Sequence, residues 1–333
     1  VAFGNTSSAA DLSGADYKSN NFTYPNLVPY MESHDEQRIA YELKEHVSFN
    51  LSERMDRIAM AASFLIPLKG PKMMWQFQEL GYDISIDKNG RTSQKPVEWD
   101  YFDNPDRRDL YEHFSLLINA KRHNAVFSSD DYNFDVNAGN GHGQMKRLAM
   151  YTDGGNDVVI IANTSASNTG SIVPEFSETG TWYDVINGST ITVNDLSNAF
   201  ELQPGEFRIY ALNPLKLEVF WSGKGSNDNW NNADNWSIGQ VPTSNADVVI
   251  PDSATVSIPS GESAVCNNLV MRAASNLTVE STASLTVHTD LTLEADEDGK
   301  AALVDKNSGG AVTVNGTAHA QYHLPNKIGR AHV

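Results

Sequence analysis

His34 and Asp35 stand at the end of a short apolar run, Asn26-Leu-Val-Pro-Tyr-Met31, after the polar step Glu32-Ser33. An imidazole beside a carboxylate is costly to bury unless each has a partner or a task. At the C-terminal end of a buried strand, such a pair lies where parallel α/β folds carry their chemistry. As a bare dipeptide it reads more readily as a satisfied surface pair. Other candidates are weaker. Asp296-Glu-Asp298 and the stretch from Asp228 to Asp234 offer oxygens of the kind that Ca²⁺ gathers, about six to eight at a time. Neither has EF-hand spacing, so both read as solvated acidic turns. His142, His288, His319 and His323 show no metal-ligand spacing. Cys266, the single cysteine, has no His or Lys beside it and reads as a buried, inert thiol. Trp221, Trp230 and Trp236 could form a platform for sugar rings, but packing inside a small β domain is the favoured reading.

The elements that must position His34 and Asp35 can be read from pattern. Asn26–Met31 and Met73–Phe77 read as two buried strands. Between them, Asn50-x-x-Glu53 is a capping box, and Leu51, Met55, Ile58, Ala62 and Leu65 fall at helical spacing. Pro67, Gly70 and Pro71 stop that helix. Asn104-Pro105-Asp106 opens a second helix with an apolar stripe at Leu110, Phe114, Leu117 and Ile118. Strand, helix, strand, helix argues for a parallel α/β unit over 1–125. Residues 126–214 read as an antiparallel β-sandwich, with strands at Met145–Tyr151, Asp157–Asn163, Thr181–Ile186 and Phe207–Leu212 and a tight turn at Asp153–Asn156. Residues 215–333 repeat Leu277-Thr-Val279, Leu285-Thr-Val287 and Leu291-Thr-Leu293, at intervals of eight and six. They read as a solenoid-like or sandwich β domain.

Composition narrows the partners. The 333 residues hold 24 Lys and Arg against 42 Asp and Glu, a net charge of −18. All three regions are acidic in balance, so a nucleic-acid or anionic-membrane partner is disfavoured. No apolar run reaches the ~20 residues of a membrane span. The chain opens on Val1 without a signal peptide, and Ile328-Gly-Arg-Ala-His-Val333 resembles a translated sequencing adaptor. Both ends are therefore expected to be interruptions of something longer.

Tyr30-Met-Glu-Ser-His-Asp-Glu-Gln-Arg38 resembles the fourth signature region of the alpha-amylase family of glycoside hydrolases (family 13), at the end of the seventh barrel strand. Gly70-Pro-Lys-Met-Met-Trp-Gln-Phe-Gln-Glu-Leu-Gly81 resembles the eighth-strand segment, and Lys95-Pro-Val-Glu-Trp-Asp100 with Arg107 to Arg122 the stretch through the last barrel helix. The resemblance covers about residues 20–213. It implies the C-terminal part of a (β/α)8 TIM barrel over 1–125, truncated at its N-terminus, followed by the sandwich. It implies that Asp35 stabilises the transition state and that His34 hydrogen-bonds the sugar. Glu32 and Arg38 match positions implied to be substrate-binding. An oxocarbenium-like transition state develops positive charge, which a carboxylate on the ring hydroxyls favours. Two departures stand out. Phe77 occupies a position that is usually Gly, and Tyr-x-Glu-Ser-His-Asp is closer to glycogen-branching members.

The implied substrate is an α-1,4-glucan: starch, glycogen or maltooligosaccharide. Branching or other transglycosylation is the alternative, and a non-catalytic carbohydrate-binding or surface-display protein is another. The family's nucleophile and general acid lie on strands four and five, so this chain alone is expected to be inactive. It is expected to need no cofactor, with structural Ca²⁺ confined to a longer parent. Trp221-Ser-Gly223 through Asn235-Trp-Ser237 and Asp247-Val-Val-Ile-Pro251 resembles accessory domains of secreted Bacteroidota proteins, implying a secreted or cell-surface bacterial parent.

Overall fold

A computed structural model describes residues 2, 11–136 and 143–323; His142 and the 328–333 stretch lie outside them. The chain forms two compact units, Val1–Leu215 and Lys216–Val333.

In the first unit, helix α1 spans Ile39–His46, α2 spans Leu51–Leu65 and α3 spans Pro105–His123. The start of α2 is set by local chemistry. Asn50 Oδ1 accepts from the Glu53 N–H at 2.9 Å, and Glu53 Oε2 accepts from the Asn50 N–H at 2.7 Å, which satisfies two otherwise orphaned donors. At α3, Pro105 takes the first helical position and Asn104 accepts from the Arg107 N–H at 3.2 Å. Lys121, Arg122 and His123 close it against the negative end of the helix dipole. The apolar faces meet through Met55, Ile58 and Ala62 on α2 and Leu110, Phe114 and Leu117 on α3, all buried.

The two runs expected to be barrel strands do not form strands. They touch at one parallel bridge, Tyr30↔Met73, with the Met73 N–H donating to Pro29 O at 3.2 Å. The reason is twofold. Pro25, Pro29 and Pro71 have no N–H to give a ladder, and among the described residues each run has only the other as a neighbour. No closed parallel barrel is present among the described residues. Gly70, at φ +94°, lets the second run approach the first: a Cβ there would lie 2.5 Å from Pro25 O.

The β part contains β1 Tyr132–Asp135, β2 Met145–Met150, β3 Val158–Asn163, β4 Gly170–Ile172, β5 Gly180–Asp184, β6 Thr190–Val193, β7 Phe200–Leu202 and β8 Phe207–Ala211. Six of these form one antiparallel sheet, in the order β1-β2-β3-β8-β5-β6. The β4-β7 pair covers one face of it, with Ile172 and Leu202 sharing a core with Val159, Trp182 and Tyr210. Helix α2 joins the loop that follows β3 through Arg57, 4% exposed, whose guanidinium donates to Thr164 O and Ser165 O at 2.9 and 2.7 Å.

The second unit is a parallel β-helix. Its strands are β9 Leu217–Phe220, β10 Ala246–Ile250, β11 Thr255–Ile258, β12 Ser263–Cys266, β13 Leu269–Met271, β14 Asn276–Val279, β15 Ser284–Val287, β16 Leu291–Leu293, β17 Ala302–Asp305, β18 Val312–Val314 and β19 Ala318–Ala320. They build three parallel sheets, β19-β16-β13-β10-β9, β11-β14-β17 and β12-β15-β18, so each coil adds one strand to each side. The intervals of eight and six are therefore sides of one coil. The repeat between coils is 21 residues at 248↔269, 256↔277 and 264↔285. It lengthens to 26 at 277↔303, where a small hairpin at 295–300 is inserted. Leu277, Val279, Leu285 and Val287 point inward and are fully buried. At one corner, Asp247 Oδ1 accepts from both Asn267 and Asn268 at 2.7 Å, and Asn268 Oδ1 from the Asp290 N–H at 3.0 Å, binding three coils together.

The three tryptophans are core residues. Trp221, Trp230 and Trp236 are 5, 0 and 0% exposed and pack edge to face, with Trp236 Nε1 donating to Trp230 O at 2.7 Å. No ring face is left for a sugar. Asp296-Glu-Asp298 lies in the inserted hairpin, where Asp296 Oδ1 accepts from the Asp298 N–H at 2.8 Å. Among the described residues, no cluster of three or more His, Cys, Asp or Glu side chains could hold a metal, and no helix is long and apolar enough to cross a membrane. Burial pushes the Cys266 thiol up to about 12.

Candidate functional site

The loop after Tyr30 divides its side chains between interior and solvent. Glu32 is 1% exposed and Arg38 4%. Arg38 Nη1 donates to Glu32 Oε2 at 3.1 Å, and the Ile39 N–H donates to Glu32 Oε1 at 2.8 Å. One carboxylate thus pairs with the arginine and also satisfies an orphan donor in the first turn of α1. The Arg38 guanidinium lies 5.0 Å from the Tyr82 ring centre and 5.7 Å from that of Trp75. Burial raises the Glu32 carboxyl above its ordinary value, against the pull of Arg38 and the Ile39 N–H. The nearby Glu79 is likewise raised by burial.

Between these anchors the chain turns outward. His34 Nε2 and Asp35 Oδ2 are 3.3 Å apart, with side chains 66 and 78% exposed. The His34 ring lies 5.6 Å from Trp75, centre to centre. Both acid and imidazole border a cleft of about 500 Å³, whose walls also include Ser33, Trp75, Ile86 and Arg91. The structure therefore brings all four sequence-predicted residues into one loop. Glu32 and Arg38 pair in the interior, whereas His34 and Asp35 face the cleft.

The far wall is the 83–97 segment, of which sequence resemblance singled out only the end, Lys95-Pro-Val97. Gln37 ties it to the loop: its Oε1 accepts from the Ile86 N–H at 2.7 Å and its Nε2 donates to Ser85 Oγ at 2.9 Å. Arg91 donates to the Asp35 backbone carbonyl. Lys95 Nζ donates to Gly90 O and Ser93 O, each at 2.8 Å, and the Tyr82 hydroxyl donates to Pro96 O at 2.7 Å. Asp83 anchors the segment's start. Burial works against its ionisation, but Tyr101, Arg107 and Lys44 together hold it below the usual carboxylate range. The Lys95-Pro-Val97 start of the Lys95–Asp100 motif was the sequence signal for this wall; Ile84, Ile86 and Arg91 carried none.

Phe77 adopts φ +62°, ψ +8°, the left-handed conformation that glycine takes freely. That explains why glycine is expected at this position. The phenylalanine ring is 6% exposed, stacked on Tyr82 at 5.8 Å and edge-on to Trp99 at 4.8 Å.

Residues 220–322 match a family described only as a domain of unknown function (DUF8693). No curated protein matches the chain. Its similar solved structures are alpha-amylase-type glycoside hydrolases at low identity. An Anoxybacillus alpha-amylase is 14% identical over 64% of this chain and 44% of its own, with a TM-score of 0.47. The alpha-amylase of Geobacillus thermoleovorans, complexed with acarbose, is 14% identical over 59% and 42%, with a TM-score of 0.45. AmyP in complex with maltose is 15% identical over 56% and 40%, at 0.42. The chain spans less than half the length of these structures.

Proposed function

We propose that the first unit carries the sugar-binding part of an alpha-amylase-type active site acting on α-1,4-glucans. The observation behind this reading is the division of one motif: Glu32 and Arg38 lock the loop from within, leaving His34 and Asp35 free at an open cleft. An exposed imidazole and carboxylate 3.3 Å apart offer ring nitrogens and carboxylate oxygens together to vicinal hydroxyls. In the parent enzyme, Asp35 holds ring hydroxyls more tightly as positive charge grows on the sugar, and His34 fixes the ring beside it. Glu32 and Arg38 position both. The nucleophile and acid of a retaining mechanism come from elsewhere in that parent, so this chain binds glucan without cleaving it. The β-helix is read as an accessory domain of a secreted or cell-surface protein.

The test is calorimetric titration of the chain with acarbose and maltotriose. Binding by wild type, with Asp35→Asn and His34→Ala each weakening it about tenfold or more, supports the reading; no binding by wild type refutes it. A second reading, transglycosylation, is favoured by the Tyr30-x-Glu-Ser-His-Asp35 form of the motif. Product analysis of the full-length protein on amylose separates new α-1,6 branches from shortened chains.

A further inference from the structure

Trp99 is a large apolar side chain left 65% exposed, whereas Trp182, Trp230 and Trp236 are fully buried. Val97, two residues before it, is 60% exposed and lines the cleft. The indole is nonetheless fixed in place. Its ring meets Phe77 edge to face, at 4.8 Å and 83°. Phe77 in turn follows Gln76, another lining residue of the same cleft. Two separate segments therefore leave the cleft wall and meet beside it, in an edge-to-face aromatic pair. Phe77 holds this place in a backbone conformation that disfavours any side chain with a Cβ. A strained residue maintained next to a cleft points to a task for the group it supports.

We propose that Trp99 is a stacking platform flanking the cleft, where it takes the apolar C–H face of a glucose ring, and that Phe77 positions it. This inference rests on the glucan reading above and adds a binding position beyond His34 and Asp35. The chemistry suits the geometry. A pyranose ring has one polar rim and a flat C–H face, and a fixed indole meets that face with little ordering cost. Because Trp99 flanks the cleft without lining it, a longer glucan reaches it better than a short one.

The experiment titrates the 333-residue chain and its Trp99→Ala, Trp99→Leu and Trp99→Phe variants with maltotriose and maltoheptaose, with circular dichroism and sedimentation as controls. Trp99→Ala is expected to weaken maltoheptaose binding about 2- to 12-fold, maltotriose binding less, and to leave the fold intact. Trp99→Phe is expected to recover part of the loss, whereas Trp99→Leu, apolar but without a ring face, recovers little. Phe77→Leu, which keeps an apolar side chain but removes the edge contact, is expected to mimic the smaller part of the Trp99→Ala effect. Wild-type binding that Trp99→Ala leaves unchanged for both ligands overturns the inference and spares the glucan reading. No binding of either ligand by wild type overturns both. Self-association of wild type that Trp99→Ala abolishes, with sugar affinity unaltered, assigns the ring to a second copy of the chain and also overturns the inference.

Discussion

Replacing Glu32 with Gln tests the clamp on which the site depends. The substitution conserves volume and removes one charge. The amide oxygen can still accept from the Ile39 N–H, but Arg38, 4% exposed, then sits in the interior without its 3.1 Å carboxylate partner. Breaking one side of a buried ion pair costs about 3–5 kcal/mol. Two features temper that cost here. Glu79 also acts on Arg38, and the guanidinium keeps the Tyr82 and Trp75 rings at 5.0 and 5.7 Å. The expected loss is about 2–3 kcal/mol. For a unit of this size each kcal/mol lowers Tm by about 2–4 °C, so calorimetry at pH 7 should show a fall of about 4–12 °C. The double variant Glu32→Gln with Arg38→Met removes the stranded charge and should be more stable than Glu32→Gln alone. A fall in Tm of less than about 1 °C for Glu32→Gln, or a double variant no more stable than Glu32→Gln, would refute the reasoning.

Three further outcomes follow from the packing. Burial pushes the His113 imidazole down to about 4 from 6.5, beside Ser63 Oγ at 2.8 Å. The unfolded chain therefore takes up a proton first, so the stability due to neutral His113 is complete above pH 6.5 and is lost as pH falls toward 4, by about 3 kcal/mol in all. His113→Gln should flatten the Tm-versus-pH curve in that window; parallel curves would count against it. Phe77→Gly relieves left-handed strain of about 1–2 kcal/mol but forfeits burial worth about 3–5, so urea denaturation should show a net loss near 2–3 kcal/mol, whereas a stabilised variant would contradict the packing described. Leu285→Ala empties a fully buried position of the β-helix and should cost that unit about 2–5 kcal/mol by the same assay.

What the sequence disclosed depended on how local the cause was. The Asn50–Glu53 box and the Asn104-Pro105 start are written within four residues, and both helices begin where those residues predict. Strand status at Asn26–Met31 and Met73–Phe77 depends on neighbours supplied by the fold, and Pro29 inside the first run weakens any ladder there. The β-helix repeat was hidden because its three sides resemble one another more than successive coils do. The hairpin at 295–300 then breaks the spacing. At the site, the motif made His34 and Asp35 legible. That Glu32 faces Arg38, and that Gln37 reaches Ser85 and Ile86, are tertiary facts with no sequence spacing of their own.

The inserted hairpin has an evolutionary meaning. After it, Leu277 still stands over Leu303 and Leu285 over Val312. The coil absorbs extra residues at its corner and returns to register, because each turn of a solenoid answers only to the turns beside it. Length in this unit is therefore a nearly free variable. Corners can grow, acquire charge or carry new loops without renegotiating the interior, which makes the β-helix a surface on which selection can write while the packed stack beneath stays fixed.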